Sequence, residues 1–393
     1  MDFSLSDDQK LIRDTVRQFM EAEMRPHLKD WEHKGHFPLE QVRKLGELGC
    51  CGMLIPEEWG GAGADLISYV LMIEEVARVC ASTAVCLSVT NSVITVPLHQ
   101  HGTEEQKKKY LPRLARGEIL GAFCLTEPAA GSDAGGIQAR AVRDGNVYKL
   151  SGTKSWVTNG GIAGLYLVFA KTDPAAGAKG ITAFLVEPTF PGFRVARYEE
   201  KMGLKISKTA ELSLDDCVVP VENRLGGEGD GLKIPLGALD GGRVGIAAQA
   251  VGIAQGALEE AVKYAKQRKA FGKSISEFQA IQWMIADMQT EVEAARTLVH
   301  QAAWQRMIGA SNAGAMAARA KLFASEVVGR VTDKAVQVHG SMGYSRESDV
   351  ERMYRDARVL RIYEGTSEIQ RMVIARDLLG QKKAREHGAG GSD

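Results

Sequence analysis

The sequence predicts a mainly α-helical protein with a β-domain in its middle. Three observations predict this class. Apolar residues recur every three or four positions up to about residue 118, and again after about residue 231. Between these regions, short β-prone runs are separated by turn dipeptides. No long helical pattern separates those runs, so we expect an antiparallel sheet or barrel, and three domains at 1–120, 121–230 and 231–393.

The N-terminal region is expected to be helical. Ser6 followed by Gln9 resembles a capping box, in which two side chains satisfy the first free amides of a helix. The pattern from Pro38 to Gly52 predicts a second amphipathic helix. Two packed helices are expected within Leu66 to Val96, and a charged helix from Glu104 to Leu114.

The middle region is expected to form short strands. Dipeptides such as Asn159-Gly160 bound them, because Asn and Gly tolerate the backbone angles of tight turns. The glycine-rich stretch Gly226–Gly231 lacks the spacing of a phosphate-binding loop, so we interpret it as the hinge before the C-terminal domain. The expected strands are Val147–Leu150, Leu165–Ala170, Ile181–Val186 and Leu212–Leu214.

The C-terminal region is expected to be a helical bundle. Apolar residues from Val244 to Leu258 step by three and four along one long helix. The tail from Arg385 is polar and glycine-rich, and we expect it to be mobile. Further helices are expected at Ile281–Ala303, Ala315–Val338 and Ile369–Leu379.

Composition excludes several classes of function. The formal net charge is zero, which favours neither nucleic acid nor a membrane as a partner. No uninterrupted apolar run approaches the roughly 20 residues of a spanning helix. The six cysteines include no CxxC pair and no His cluster has zinc spacing, so we expect no metal and reduced thiols, in a bacterial cytoplasm or a mitochondrial matrix. Dinucleotide-binding, P-loop and zinc-protease motifs do not occur.

Two segments of the middle region suit contact with a flat ring. Residues 121–133, GAFCLTEPAAGSD, combine small residues with the hydroxyls of Thr126 and Ser132, which suit close backbone approach and hydrogen bonds to a heterocycle. Residues 155–160, SWVTNG, add the indole of Trp156 and another hydroxyl. Taken singly, the first segment is also an ordinary loop, and a tryptophan at the end of a strand is also an ordinary core residue.

Two segments of the C-terminal region suit a phosphate-bearing ligand. Residues 267–279, QRKAFGKSISEFQ, contain Arg268, whose planar fork suits a pyrophosphate. Residues 337–344, QVHGSMGY, have small side chains that allow close backbone approach. Each also has a plain explanation, because a basic helix end complements the helix dipole and glycine ends helices.

Glu364 is the candidate catalytic base. It stands in the turn IYEGTSE, next to Gly365 and between two helical segments. A carboxylate in such a turn is also commonly an ordinary exposed acid, so its position alone does not decide its role.

Together these segments resemble the acyl-CoA dehydrogenase family over about residues 3 to 380. GAFCLTEPAAGSD resembles one family signature, and QVHGSMGYSRESDVERMYRDAR followed by IYEGTSEIQR resembles another. The resemblance implies an N-terminal helical domain, a middle β-domain of barrel type and a C-terminal four-helix bundle. It also implies FAD, bound in a homotetramer that is a dimer of dimers.

The resemblance implies which residues hold FAD. Thr158 would lie near flavin N5. The residues that would reach the FAD of a neighbouring subunit are Arg268, Phe271, Gln279 and residues 337–341. Ser341 stands where many relatives have glycine. The implied cofactor-binding set is Phe123, Leu125, Thr126, Ser132, Trp156, Val157, Thr158, Arg268, Phe271, Gln279, Gln337, Val338, His339, Gly340, Ser341, Thr366, Ser367 and Glu368.

The resemblance also implies the chemistry. Glu364 would remove the α-proton of an acyl thioester while the β-hydride passes to the flavin, and burial by the ligand should raise the pKa of Glu364 towards neutrality. A subset of the family carries its base on the helix near Asp240, where this chain has Gly242, and glycine cannot act as a base. The implied substrate-binding residues are Ser132, Asp240, Gly241, Gly242, Arg243, Tyr363 and Gly365.

The substrate and the electron acceptor follow from finer resemblance. Ser88–Ser92 and the stretch LDGGR resemble short-chain, butyryl-type members, with a branched-chain or medium-chain acyl-CoA as the alternative. Electrons would pass to an electron-transferring flavoprotein. An oxidase that reduces O₂ is a second hypothesis, although such enzymes are often longer. A nucleic-acid-binding flavoprotein is a third, but the basic residues from 241 onwards are interleaved with acids.

Overall fold

The N-terminal part of the protein is helical in the computed structural model, which describes residues 4–380. Ser6 Oγ accepts the Gln9 amide at 3.2 Å and Gln9 Oε1 accepts the Ser6 amide at 3.0 Å, which confirms the capping box. The helices are α1 (Asp7–Phe19), α2 (Leu28–Lys34), α3 (Leu39–Glu47), α4 (Leu66–Val79), α5 (Ala81–Ser88), α6 (Val96–His101) and α7 (Glu104–Ala115).

Two of these helices differ from the expected bounds. Helix α3 ends at Glu47 and not at Gly52, because Gly49 adopts a left-handed φ of +82° that turns the chain. The pair expected within Leu66 to Val96 is present as α4 and α5, which are separated by the extended residue Cys80. A π-helical stretch, Val89–Thr95, then joins α5 to α6.

The middle region forms one eight-stranded sheet within the described chain. Its strands are β1 (Gly121–Cys124), β2 (Arg140–Asp144), β3 (Val147–Thr158), β4 (Leu165–Lys171), β5 (Ile181–Val186), β6 (Phe193–Tyr198), β7 (Thr209–Pro220) and β8 (Arg224–Leu225). The order is β6-β7-β3-β2-β4-β5-β8, with β1 beside β4. Most pairs are antiparallel, as expected, but β4 pairs in parallel with β1 and at one position with β2. The long loop from β1 to β2 permits this, because it frees them from hairpin pairing.

The C-terminal region is a helical bundle built on one helix of 35 residues, α8. Helix α8 packs on α4 so closely that a methyl group on Gly252 would overlap the carbonyl of Glu74. The tail from Arg385 lies outside the described residues. The elements are α8 (Lys233–Gln267), β9 (Lys269–Ala270), β10 (Lys273–Ser274), α9 (Gln279–Met307), α10 (Ala313–His339), α11 (Asp349–Ala357) and α12 (Ser367–Leu378).

The apolar core has two parts. One part joins the N-terminal helices to the C-terminal bundle, where Val76 of α4 and Val251 of α8 are buried. The other lies inside the middle region, around Val168 and Phe184. The active-site candidates therefore rest on a sheet and a bundle that share an interface with the N-terminal helices.

One helical stretch, Ala81–His101, is long and apolar enough by length and composition to cross a membrane, which the sequence analysis did not anticipate. Its mean hydropathy is 1.4, and 94% of that window is buried inside the protein. A core helix of a soluble protein passes the same test, and α5 is packed in this way against α4 and α8.

Candidate active site

Glu364 lies in a strained turn between a 3₁₀ turn, Arg358–Arg361, and α12. Its φ is +53°, and that of Gly365 is +87°. Glycine adopts such angles freely, but for glutamate the left-handed conformation costs on the order of 1–3 kcal/mol and persists only where surrounding contacts enforce it. The turn therefore has to be held by the groups around it.

The Glu364 carboxylate points into the protein beside α8. Its Oε2 atom is inaccessible to solvent and has no hydrogen-bond partner among the described residues. A methyl group on Gly242 would stand 2.7 Å from that oxygen, so the glycine leaves space for the carboxylate. Burial raises the pKa of Glu364 to about 7, while the positive charges of Arg243 and Lys321 act to lower it. A carboxylate with these properties is suited to general base catalysis near neutral pH.

Two side chains hold the backbone of the turn. Lys321 Nζ donates to the Gly365 carbonyl at 2.7 Å. Gln370 Nε2 donates to the same carbonyl at 2.9 Å and to the Glu364 carbonyl at 3.1 Å. These donors fix the two residues whose left-handed angles aim the carboxylate.

The residue before Glu364 is held from the other side. The Tyr363 hydroxyl donates to Gln249 Oε1 at 2.6 Å, and Gln249 Nε2 donates to the Ala81 carbonyl at 2.8 Å. Gln249 is fully buried on α8, and Ala81 begins α5. Tyr363 is thus connected to α5, which ends at Ser88, the first residue of the stretch that resembles short-chain members.

A hydroxyl pair lies deeper in the same region. The Tyr69 hydroxyl is 3.1 Å from Ser88 Oγ, and a methyl group on Gly245 would overlap both oxygens. Burial raises the pKa of Tyr69 to about 12, and the Glu364 charge contributes to that increase. Ser88, Tyr69 and Glu364 therefore lie in one neighbourhood, with Gly245 leaving space for the hydroxyls.

Sequence reasoning missed four of these residues. Gln249 was detectable as a lone polar residue in a run of small and apolar residues, and Tyr69 as a hydroxyl in an apolar run. Lys321 follows Arg319 by two positions in a run of small and apolar residues. Gln370 carried no such signal, because glutamine is common on exposed helix faces. Their roles depend on contacts between distant parts of the chain, which helical periodicity does not reveal.

The two segments expected to contact a flat ring lie side by side in the structure. The Ser155 amide donates to the Thr126 carbonyl at 2.9 Å, and Asn159 Nδ2 donates to the Gly121 carbonyl at 2.8 Å. Asn159 Nδ2 is also 3.4 Å from the Cys86 carbonyl on α5. The end of β3, the start of β1 and the helix carrying Ser88 are thus joined through one buried amide.

The residues of these segments differ in exposure. Leu125 and Val157 are buried, Phe123 and Thr158 are half-buried, and Ser132 is exposed. Thr126 is also half-buried, and the Phe123 ring packs 5.1 Å from that of Phe169. The structure therefore leaves Thr126, Thr158 and Ser132 accessible to a ligand, whereas Leu125 and Val157 support the surface from beneath.

Trp156 is the most unusual residue of the group. Its φ is +58° and its side chain is 60% exposed, so a large flat ring is held outward at an energetic cost. Strain at an exposed aromatic residue is typical of ligand sites. This feature fits the flat ring system of a flavin.

A buried ion pair supports the same loop. Lys154 Nζ lies 2.6 Å from Glu127 Oε1, and both side chains are almost inaccessible to solvent. Glu127 also accepts the amides of Gln138 at 2.5 Å and Ala139 at 3.0 Å. Lys154 Nζ is 3.3 Å from the Leu125 carbonyl. The pair therefore connects β3, the loop after β1 and the start of β2.

The N-terminus of α12 gathers the last predicted contacts. Thr366 Oγ1 caps the helix by accepting the Ile369 amide at 3.3 Å. Ser367 is buried, yet its hydroxyl has no hydrogen-bond partner in the described chain. Glu368 is exposed, and its own backbone amide is the largest influence lowering its pKa. The unsatisfied Ser367 hydroxyl fits a polar ligand group and therefore suits the nucleotide part of a flavin cofactor.

Most of the other cofactor candidates are exposed at the surface. Arg268 and Gln279 flank the β9–β10 hairpin and are exposed, and Phe271 at its tip is 95% exposed with a φ of +52°. Gln337 and Ser341 are exposed as well.

Two neighbours of Gln337 face inward. Val338 is buried, and His339 stacks on Tyr264 with ring centroids 4.3 Å apart. His339 Nδ1 is also 2.8 Å from the Ala335 carbonyl. The side chains of Val338 and His339 therefore face the protein interior, next to the exposed Gly340.

The substrate-binding candidates on α8 are only partly described. Gly242 and Arg243 are buried near Glu364, whereas Gly241 lies nearer to Arg306. The predicted role of the Asp240 side chain falls outside the described residues.

Comparison with known proteins gives the family. Models of the acyl-CoA dehydrogenase N-terminal, middle and C-terminal domains match residues 6–118, 122–217 and 229–379. A short-chain specific acyl-CoA dehydrogenase of Clostridium acetobutylicum is 48% identical over 375 residues, covering 95% of this chain and 99% of that protein. A subunit of the caffeyl-CoA reductase-Etf complex of Acetobacterium woodii is 47% identical, covering 95% of this chain and 99% of that protein.

A solved structure confirms the predicted fold class. Butyryl-CoA dehydrogenase of Megasphaera elsdenii matches with a TM-score of 0.94 at 46% identity, covering 96% of this chain and 100% of that chain. The exposed Trp156 and the unsatisfied Ser367 hydroxyl already fit a flavin nucleotide. With its full-length matches, this chain belongs to the acyl-CoA dehydrogenase family, whose enzymes depend on FAD.

Proposed function

We propose that this enzyme removes hydrogen from Cα and Cβ of a short-chain acyl-CoA to form the trans-2-enoyl-CoA, with Glu364 as the base. One observation carries the assignment: the Glu364 carboxylate is turned inward over Gly242 with a free, inaccessible oxygen and a pKa of about 7. At neutral pH a large fraction of that carboxylate is ionised, and it is more basic than an exposed glutamate.

The chain's own residues would divide the work as follows. Glu364 accepts the α-proton, and its backbone amide would donate to the thioester oxygen, where negative charge develops. Lys321 and Gln370 keep the carbonyls of the turn in place. We propose that Asp240, Gly241, Gly242, Arg243, Tyr363, Gly365 and Ser132 border the acyl-CoA.

FAD supplies the acceptor of the β-hydride when it is bound. We propose that the accessible groups Thr126, Ser132 and Thr158 bond its ring edge. Trp156 would cover the ring, and Phe123, Leu125 and Val157 would support it. Thr366, Ser367 and Glu368 would contact its nucleotide part at the start of α12. The unsatisfied hydroxyl of Ser367 supports that placement.

The exposed cofactor candidates suggest a second subunit. Phe271 is 95% exposed, and large apolar side chains such as Trp283 and Trp304 on α9 are 65% and 53% exposed. Exposed aromatic residues of this kind are typical of interfaces. We propose a homotetramer, a dimer of dimers, in which one subunit offers residues to the FAD of another. These residues are Arg268, Phe271, Gln279, Gln337, Val338, His339, Gly340 and Ser341.

The acceptor and the compartment are also proposals. A relative that is part of an Etf complex supports an electron-transferring flavoprotein as the redox partner. All six cysteines are free and buried, which supports a reducing compartment, either a bacterial cytoplasm or a mitochondrial matrix. The division of the chain at residues 120 and 230 follows the change from helices to sheet and back.

The substrate class rests on the relatives. Two relatives are named for short-chain and butyryl thioesters. Anaerobic titration with butyryl-CoA, octanoyl-CoA and isovaleryl-CoA, followed by the visible absorbance of the flavin, tests the proposal. We expect bleaching at the lowest concentration with butyryl-CoA. Preferential bleaching with isovaleryl-CoA or octanoyl-CoA would replace the short straight chain with the branched or medium-chain alternative, and no bleaching with any of the three would contradict the proposed activity.

A further inference from the structure

Lys321 is a buried cation that the proposed reaction does not itself consume. It lies on α10, and its side chain is 0% exposed. Its Nζ donates to the Gly365 carbonyl, and it forms no ion pair with any carboxylate whose side chain the structure describes. Burying an ammonium group costs several kcal/mol, and an apolar side chain would often fill the same space at lower cost. A structural role alone therefore does not require a lysine here.

The carbonyl that Lys321 holds belongs to the residue after the base. Glu364 and Gly365 are consecutive left-handed residues, so the turn relaxes unless its backbone is restrained. Gln370 donates to the carbonyls of both residues. Two donors from different helices, α10 and α12, thus converge on the turn that aims the carboxylate.

The Lys321 charge also acts on the carboxylate. Burial lowers the pKa of Lys321 to about 8, against the raising influence of Glu364 and Glu368, and Arg243 lowers it further. In return, Lys321 and Arg243 oppose the increase that burial imposes on the pKa of Glu364. Tyr69 is a further titratable group that senses the Glu364 charge. Lys321 is therefore one of two cations that favour the ionised base.

We propose that Lys321 is a positioning residue for the base: its ammonium fastens the Glu364–Gly365 turn through the Gly365 carbonyl, and its charge keeps the carboxylate ionised. The inference rests on the proposed role of Glu364. Gln370 shares the first task but not the second, because its amide is neutral. This difference separates hydrogen bonding from charge in an experiment.

The pH dependence of kcat/KM with butyryl-CoA tests both tasks. Lys321→Met removes the charge, so the pKa of Glu364 rises and the acid limb of the profile moves to higher pH by about one unit. Its kcat also falls by about tenfold or more where the base is ionised, because the turn is less well held. Lys321→Arg keeps the charge and returns the limb to the wild-type position. Gln370→Leu lowers kcat and leaves the limb unmoved.

Lys334→Met is the matched control. Lys334 also lies on α10 but pairs with Asp287 and Glu291, at 3.1 and 3.5 Å. This variant should retain both the kcat and the acid limb of the wild type. Flavin absorbance per subunit and the thermal midpoint establish that each variant is folded and loaded with FAD.

Several outcomes overturn the inference. A folded Lys321→Met enzyme with wild-type kcat and an unmoved acid limb does so directly. If that variant does not fold, two other results decide. Wild-type kcat in Gln370→Leu would show that hydrogen bonds to the turn are not needed. An acid limb of the kcat/KM profile that is displaced in Lys321→Arg would show that the charge does not set the pKa of Glu364. Turnover by Glu364→Gln is a separate failure, because it removes the proposed base itself.

Discussion

At the scale of single residues, the candidate active site depends on the space that Gly242 leaves beside Glu364. It also depends on polar side chains that restrain the left-handed turn at Glu364 and Gly365. The family resemblance of the motif around Glu364 predicts this residue as the base. The place of its carboxylate was not predictable, because it depends on Gly242 of α8, far away in the chain. From the sequence, Gly242 was considered as the alternative position of a base and as a substrate-binding residue. The structure shows that it leaves room for the carboxylate of Glu364.

The first prediction concerns this space. In Gly242→Ala the added methyl group would stand 2.7 Å from Glu364 Oε2, so the carboxylate has to move. A carboxylate tip moves at little cost in stability, but displacement of the base by about 1 Å lowers kcat by about 100-fold. Steady-state kcat and the flavin absorbance per subunit are the measurements.

Gly237→Ala is the control for that substitution. It lies on the same helix, gains the same helix propensity, and its methyl group meets nothing within 4 Å. We expect wild-type kcat from this variant. Equal kcat in the two variants would show that the carboxylate does not occupy the space beside Gly242.

At the scale of elements, the proposed flavin surface lies at the ends of β1 and β3 and in the loop between β1 and β2. Both segments were predictable, because small residues, hydroxyls and a tryptophan occur at strand ends. Their contact was not predictable, since it depends on β1 pairing in parallel with β4. The Glu127–Lys154 pair also joins elements that helical and strand periodicity treat separately.

The second prediction concerns that ion pair. Glu127→Gln leaves Lys154 as a buried charge without its counter-ion, a change that costs about 3–5 kcal/mol. The loop that carries Leu125 and Thr126 then loosens, and we expect at least a twofold loss of bound FAD after gel filtration. Absorbance of the flavin relative to protein gives the ratio.

Glu118→Gln provides the comparison. Glu118 pairs with Arg116 at the surface, where an ion pair contributes about 0–1 kcal/mol. Its FAD content should equal that of the wild type. If Glu127→Gln also retains full FAD after the same treatment, the ion pair does not support the flavin surface.

At the scale of the whole molecule, buried charges join the three regions. Arg78 of α4 contacts Glu21, Glu75 and Glu259, and so connects the N-terminal helices to α8. Asp356 of the C-terminal signature accepts the Leu204 amide at 2.5 Å, and so connects the bundle to the middle region.

The order of helices, sheet and bundle was predictable from periodicity alone, because each region has its own repeat of apolar residues. The connections between the regions were not predictable, since a charged residue in a helix resembles a solvated one until its partners are known. From the sequence, Arg355 and Asp356 were recognised only as part of a family signature. In the structure, Arg355 forms an ion pair with Glu32, and Asp356 accepts a hydrogen bond from the Leu204 amide.

The rate of flavin bleaching on rapid anaerobic mixing with butyryl-CoA, in wild type and in Glu364→Gln, tests the central claim most directly. The variant is expected to keep its FAD and to bind the thioester, because glutamine preserves the shape of the side chain. Without a base, its bleaching rate should fall by about 10²–10⁴-fold. Bleaching at a rate comparable to the wild type would contradict the assignment of Glu364 as the catalytic base.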